Sequence, residues 1–189
     1  MDLRDWSTQI QVVREMLADR GYDSIQVRRN PNAEGKSLHI LTARCRREIL
    51  PSLGAFIATE QRVGVHAIRD LVRRAADASI QRIMLLIPCG VTSYTAKELR
   101  GARQGIEVWR HAELAFNVTR HRDVPRHRVL SARERAELLA DLKCKPSQLP
   151  RIYETDVVMR YMAVAPGNIV CVERQFDGLE KELYYRLVV

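Results

Sequence analysis

Residues 83–87 read Ile83-Met84-Leu85-Leu86-Ile87, five apolar side chains in a row with Pro88 and Gly90 directly behind them. A strand with one wet face alternates apolar and polar residues, whereas a short unbroken run suits a strand buried on both faces. Ahead of it, Val65, Ile68, Leu71, Val72 and Ala75 recur at helical spacing. A doubly covered strand fed by an amphipathic helix points to a sheet with helices packed on it, an α/β layer.

The rest of the first 119 residues fits that layer. Trp6, Ile10, Val13 and Leu17 predict a helix that Gly21 stops. Asn30, Pro31, Asn32 and Gly35 predict a loop over 28–36. Strands are expected at 38–43 and 55–58. Thr92 or Ser93 caps a helix running to Arg100, and a further strand is expected at 106–109.

The pattern changes near residue 120. Residues 120–128 are rich in Arg and His without apolar periodicity and read as a connector. Ser131 and Glu134 form a capping box ahead of a helix carrying Ala136, Leu139 and Leu142. Pro146 and Pro150 break the chain, a short helix is expected over 154–162, and Pro166-Gly167 marks a turn. Strands at 169–172 and 183–189, joined across Asp177-Gly178, complete a small α+β unit. Two domains are therefore expected, 1–119 and 120–189.

Lys plus Arg total 31 against 23 Asp plus Glu, a net charge of +8. Arg dominates, and its planar fork suits phosphate and carboxylate. The excess is shared, +5 in 1–119 and +3 in 120–189, so it lies on folded surfaces rather than a basic tail. An acidic partner, nucleic acid above all, is the expectation. No apolar run has the roughly 18–20 residues that span a bilayer. The first ten residues lack an apolar signal segment, which points to an intracellular protein.

Catalytic motifs are missing. His39, His66, His111, His121 and His127 form no close metal pair, and Cys45, Cys89, Cys144 and Cys171 form no C-x-x-C, so the cysteines read as reduced and structural. There is no Walker A loop, no G-x-S-x-G and no G-x-G-x-x-G. The acidic residues are dispersed, without the carboxylate–lysine grouping of a metal-dependent nuclease. Catalytic residues, metal and cofactors are expected to be none, and a binding or structural role is favoured.

One stretch carries a specific resemblance. It begins with His121-Arg122-Asp123-Val124-Pro125-Arg126-His127 and Leu130-Ser131-Ala132-Arg133-Glu134. It continues through Gln148-Leu149-Pro150-Arg151-Ile152, Asp156-Val157-Val158-Met159-Arg160-Tyr161 and Pro166-Gly167-Asn168-Ile169-Val170. It ends at Tyr185-Arg186-Leu187-Val188. In this order and spacing they resemble the assembly domain shared by the H-type subunit of archaeal RNA polymerase and the fifth subunit common to eukaryotic nuclear RNA polymerases. Asp19-Arg20-Gly21-Tyr22, and the 83–87 run with Gly90-Val91-Thr92, resemble the N-terminal jaw domain of the eukaryotic two-domain form. There are departures. Thr92-Ser93-Tyr94 lacks the family's proline, Asp156-Val157-Val158 stands for D-P-V, and Ala163 and Glu180 stand where the family has glycine. They mark a divergent member, cellular or viral.

The resemblance implies a fold and a role. The fold is an α/β N-terminal jaw domain, a helix-covered sheet, followed by a small α+β C-terminal assembly domain. The role is a non-catalytic subunit of a multisubunit DNA-directed RNA polymerase. It docks on the largest subunit beside other core subunits and helps form the lower jaw near downstream duplex DNA, with no membrane partner. Location would be the nucleus for a cellular protein, the virion or infected-cell cytoplasm for a viral one. Arg44, Arg46, Arg47 and the turn Gly90, Val91, Thr92, Ser93, Tyr94 are the DNA-proximal candidates, against a solvated loop and a plain strand–helix turn. Candidates for large-subunit contact are His121, Val124, Pro125, His127, Leu149, Pro150, Arg151, Ile152, Arg160, Tyr185 and Arg186, several of which also suit internal packing. The alternative is a stand-alone nucleic-acid-binding adaptor or a degenerate nuclease-like protein.

Overall fold

In a computed structural model, residues 6–29, 39–44, 50–58, 62–101, 105–174 and 181–189 are described. Chain contacts divide it into two compact units, Met1–Phe116 and Asn117–Val189.

The first unit runs α1 (Ser7–Asp19), β1 (Ser24–Arg29), β2 (His39–Arg44), β3 (Leu53–Ile57), β4 (Arg62–Val63), α2 (Val65–Asp77), β5 (Arg82–Ile87), β6 (Gly90–Val91), α3 (Ser93–Gly101) and β7 (Ile106–Arg110). Five strands make one sheet in the order β1-β2-β3-β5-β7. β1, β2 and β3 pair antiparallel, while β3, β5 and β7 pair parallel. Parallel neighbours need long crossovers, and α2 and α3 supply them. Ile83–Ile87 are all buried, as their unbroken apolar run predicts.

Alternation along β5 divides the layer. Ile83, Leu85 and Ile87 join Phe56, Ile68, Leu71 and Ala75 in the core under α2. Met84 and Leu86 point the other way, on the face of Glu107 and Trp109 by register. α1 lies on that face. Arg20, at its end, holds Glu107 with Nη1 at 3.2 Å and Nη2 at 2.9 Å, and the Trp6 ring meets His111 edge-on at 4.7 Å. The Arg20 side chain is 5% exposed, and Arg82 reaches the same carboxylate at 2.9 Å.

Sequence periodicity misses three strands here. β1 is one: residues 28–29, expected in a loop, are its end, and the remainder of that loop lies outside the described residues. The two-residue strands β4 and β6 pair with each other and are too short to carry a pattern.

The second unit runs β8 (Arg126–Val129), α4 (Ala132–Asp141), β9 (Arg151–Ile152), α5 (Val157–Met162), β10 (Ile169–Arg174) and β11 (Glu182–Val188), with 3-10 turns at Val118–Arg120 and Pro146–Gln148. Its sheet order is β8-β10-β11-β9. One face packs Val170, Val172 and Val188 against Val158 and Met159 of α5. The other packs Ile169 and Cys171 with Leu130 and Leu149, half-covered by Leu138 and Leu139 of α4. Residues 117–120 belong to this unit: Asn117 Nδ2 donates to Tyr161 Oη at 2.9 Å, and Asn117 Oδ1 accepts from Thr119 N–H.

The reading of 120–128 as a connector needs correction, because its last three residues begin β8. β8 is an edge strand with Arg126 and Arg128 exposed, so its charge hides the strand from any apolar pattern. β9, two residues long, is likewise invisible in the sequence.

Helices α1, α2, α4 and α5 end the same way. The residue after the last turn takes a left-handed backbone, Gly21 after α1, Ser79 after α2, Lys143 after α4 and Ala163 after α5. In each, its N–H bonds back three residues and the next N–H bonds back five, as Tyr22 does to Leu17, Ile80 to Ala75, Cys144 to Leu139 and Val164 to Met159.

Candidate functional site

The DNA-proximal candidates of the first unit fall in two places. Arg44 ends β2 and is exposed, while Arg46 and Arg47 lie outside the described residues. Gly90 and Val91 form β6 against Arg62 and Val63. Thr92 caps α3, its Oγ1 accepting from Thr95 N–H at 3.2 Å and its carbonyl from Ala96 N–H at 2.9 Å. Fully buried Thr95 then donates its hydroxyl to the Val63 carbonyl at 3.1 Å, tying the turn to β4. Sequence reasoning missed Thr95, whose only signal is a threonine three residues after a cap. The turn is thus a hydrogen-bonded strand–helix junction, and it leaves Tyr94 66% exposed at the start of the helix.

In the second unit the two histidines of the 121–127 segment fold it on itself. His121 Nδ1 accepts from Asp123 N–H at 3.3 Å, and Val124 N–H donates to the His121 carbonyl at 3.0 Å. His127 Nδ1 stands 2.7 Å from the Pro125 carbonyl, which can only accept, so that nitrogen carries the proton. Val124 packs on the α5 core. The motif is first of all a built loop, with His121 exposed and Pro125 and His127 half-buried.

Residues 149–152 divide in role. Leu149 is buried on the α4 face and Ile152 packs on the α5 face. Between them Pro150 and Arg151 are exposed, and their carbonyls accept from Leu187 N–H at 2.8 Å and Arg186 Nη1 at 3.2 Å. Arg186 therefore turns away from Tyr185 and Leu187, as strand alternation requires, and braces the short strand β9. Tyr185 lies half-buried in the α4-side cluster, and that burial raises its phenol above the ordinary value. Arg160 is half-buried on α5.

Pro150 and Arg151 are followed in the chain by two exposed apolar groups, Tyr153 at 70% exposure, which the sequence did not single out, and Val157 at 38%, which it marked only as standing for the proline of D-P-V. Isolated side chains of this kind carry no periodic signal. Exposed aromatic and arginine side chains are the types that anchor protein interfaces.

On α4, Glu134 completes the capping box, accepting from Ser131 N–H at 2.8 Å and from Arg128 Nη1 at 2.5 Å. The hydrogen bonds from Ser131, with Arg128 beside them, lower its carboxyl from 4.5 to about 2. Among the described residues no group of three His, Cys, Asp or Glu could hold a metal ion, and no helix is long and apolar enough to cross a membrane.

Residues 116–188, which nearly coincide with the second unit, match the family described as RNA polymerase Rpb5, C-terminal domain. Relatives extend the likeness into the first unit. The chain is 32% identical over 184 residues to the DNA-directed RNA polymerases I, II, and III subunit rpabc1 of Dictyostelium discoideum, covering 94% of this chain and 93% of that one. It is 35% identical over 137 residues to the RPABC1 subunit of Caenorhabditis elegans, covering 71% of this chain and only 64% of that relative's length. The DNA-directed RNA polymerase V subunit 5A of Arabidopsis thaliana is 29% identical over 127 residues, covering 67% of this chain and 57% of its own. An end-to-end relative at that identity, on top of a domain match that fills the second unit, is decisive: the chain belongs to the Rpb5 (RPABC1) family of eukaryotic RNA polymerase subunits.

Proposed function

We propose that the chain serves as a non-catalytic subunit of a multisubunit DNA-directed RNA polymerase. The observation that carries this is the near-complete alignment with a relative named as a subunit of DNA-directed RNA polymerases I, II, and III. In this reading the 117–189 unit is the assembly domain. It docks on the largest subunit through the exposed groups around β9, namely Pro150, Arg151, Tyr153 and Val157, with His121 at a second point. The 1–116 unit is the jaw. Its hydrogen-bonded turn at 90–94 and Arg44 border downstream duplex DNA, and phosphate attraction there is independent of sequence and weakened by salt. The protein then works in the nucleus, where its eukaryotic relatives' polymerases transcribe.

The test is affinity purification of the tagged full chain from its own cells, with mass spectrometry of what it retains. Large polymerase subunits in stoichiometric yield support the reading. Their absence from a folded, expressed chain overturns it. Arg151→Ala combined with Tyr153→Ala should lower the yield of those subunits at least tenfold, since anchor truncations cost about 2 kcal/mol or more.

A further inference from the structure

At one end of the second unit's sheet, the start of β8, the end of β10 and the start of β11 surround an open cavity of about 610 Å³. Among the described residues, four cations line it: Arg122, Arg126, Arg174 and Lys181. Two carboxylates of the same described lining, Asp123 and Glu173, answer them, so that part of the wall carries a surplus of positive charge. Pairing leaves much of that charge uncommitted. Arg122 meets its neighbour Asp123 at 3.4 Å, with both side chains well exposed. Arg126 lies directly opposite Glu173 across the β8–β10 ladder, yet no ion pair joins them. Arg174 lies over the Tyr184 ring at 5.1 Å, and that phenol donates to Glu182. Among the described residues, Arg126 and Lys181 have no ion pair at all.

The chemistry of this wall selects its ligand. Small-molecule pockets are lined mainly by apolar side chains, and among the described residues lining this cavity the one apolar residue is Pro125. A charged, solvent-open hollow with three guanidinium forks suits a ligand that is itself charged along its length and stays hydrated. We propose that this cavity binds the phosphodiester backbone of a nucleic-acid strand, with Arg126 and Lys181 as the principal phosphate contacts. The site belongs to the second unit alone. It does not rest on the polymerase reading.

The experiment titrates the full chain against two fluorescent probes, a DNA duplex and a single-stranded RNA, reading anisotropy over a salt series that begins at about 50 mM. Arg126→Ala with Lys181→Ala is the test variant. Arg133→Ala with Lys145→Ala removes the same charge from exposed positions outside the cavity. The expected result is that the cavity variant loses about tenfold in affinity at low salt and flattens the logarithmic salt slope by about two, for two lost phosphate contacts. The control should change far less. The probe that suffers the larger loss identifies the source of the backbone. A cavity variant that binds both probes like the parent, or falls no further than the control, overturns the proposal. So does one that keeps its nucleic-acid affinity but no longer retains polymerase subunits, which would make the cavity a protein contact. Thermal unfolding of both variants checks that each remains folded.

Discussion

Replacing Ala163 by glycine should stabilise the second unit, although alanine-to-glycine changes normally do the reverse. Ala163 follows α5 with φ +53°, and its N–H and that of Val164 bond back to Arg160 and Met159. An L-residue held left-handed costs about 1–2 kcal/mol. Glycine escapes that cost but gives back about 0.4–1 kcal/mol through the entropy of its unfolded chain. The half-buried methyl group is worth a few tenths more. The net gain is about 0.5 kcal/mol, and Lys143→Gly, at φ +49° after α4, should add a similar amount. Together they should raise Tm by about 4–8 °C for a unit of this size. Calorimetry on the full chain resolves the effect, with Ala140→Gly inside α4 as the counter-experiment, expected to cost about 1 kcal/mol. If all three substitutions lower Tm alike, the left-handed helix ends are wrong and so is the reasoning.

Two further expectations follow from side chains. Glu107→Ala removes the carboxylate that the Arg20 guanidinium and Arg82 share and should cost more in a denaturant titration than Arg82→Ala, which acts at the exposed side of the same group and should cost less than about 1 kcal/mol. Glu134 has its carboxyl lowered in the fold, so its contribution is complete above pH 4.5 and is lost as pH falls towards about 2. Acid titration of stability should therefore lose part of its slope in that window in Glu134→Gln, and an unchanged slope would contradict the capping geometry.

How much was legible in the residues depends on how each element announces itself. The 83–87 run and the 65–75 periodicity gave away the core strand and its crossover because burial on a helix-covered sheet demands continuous apolarity. The capping box at Ser131 and Glu134 was equally plain. β8 was not, because an edge strand can be as charged as a loop, and β4, β6 and β9 are too short to show a period. The resemblance named the second unit's motifs, but their side chains divide in a way no motif shows. Leu149, Ile152 and Val124 face inward, His121 and His127 shape a loop, and Pro150 and Arg151 remain outside with Tyr153. The 163 position, marked in the sequence as alanine for glycine, proves to be a backbone matter.

The strand order β8-β10-β11-β9 also sets the tempo at which the second unit forms. β10 and β11 are neighbours in the chain and close a hairpin, but β8 must find β10 across 41 to 47 residues, and β9 must find β11 across 36. Closing such loops costs entropy before any pairing rewards it, so the local hairpin has to come first and offer its two edges as templates. The barrier to folding then lies in residues 169–188. Changes in the hairpin slow the forward reaction, while changes in α4 mainly hasten the reverse one.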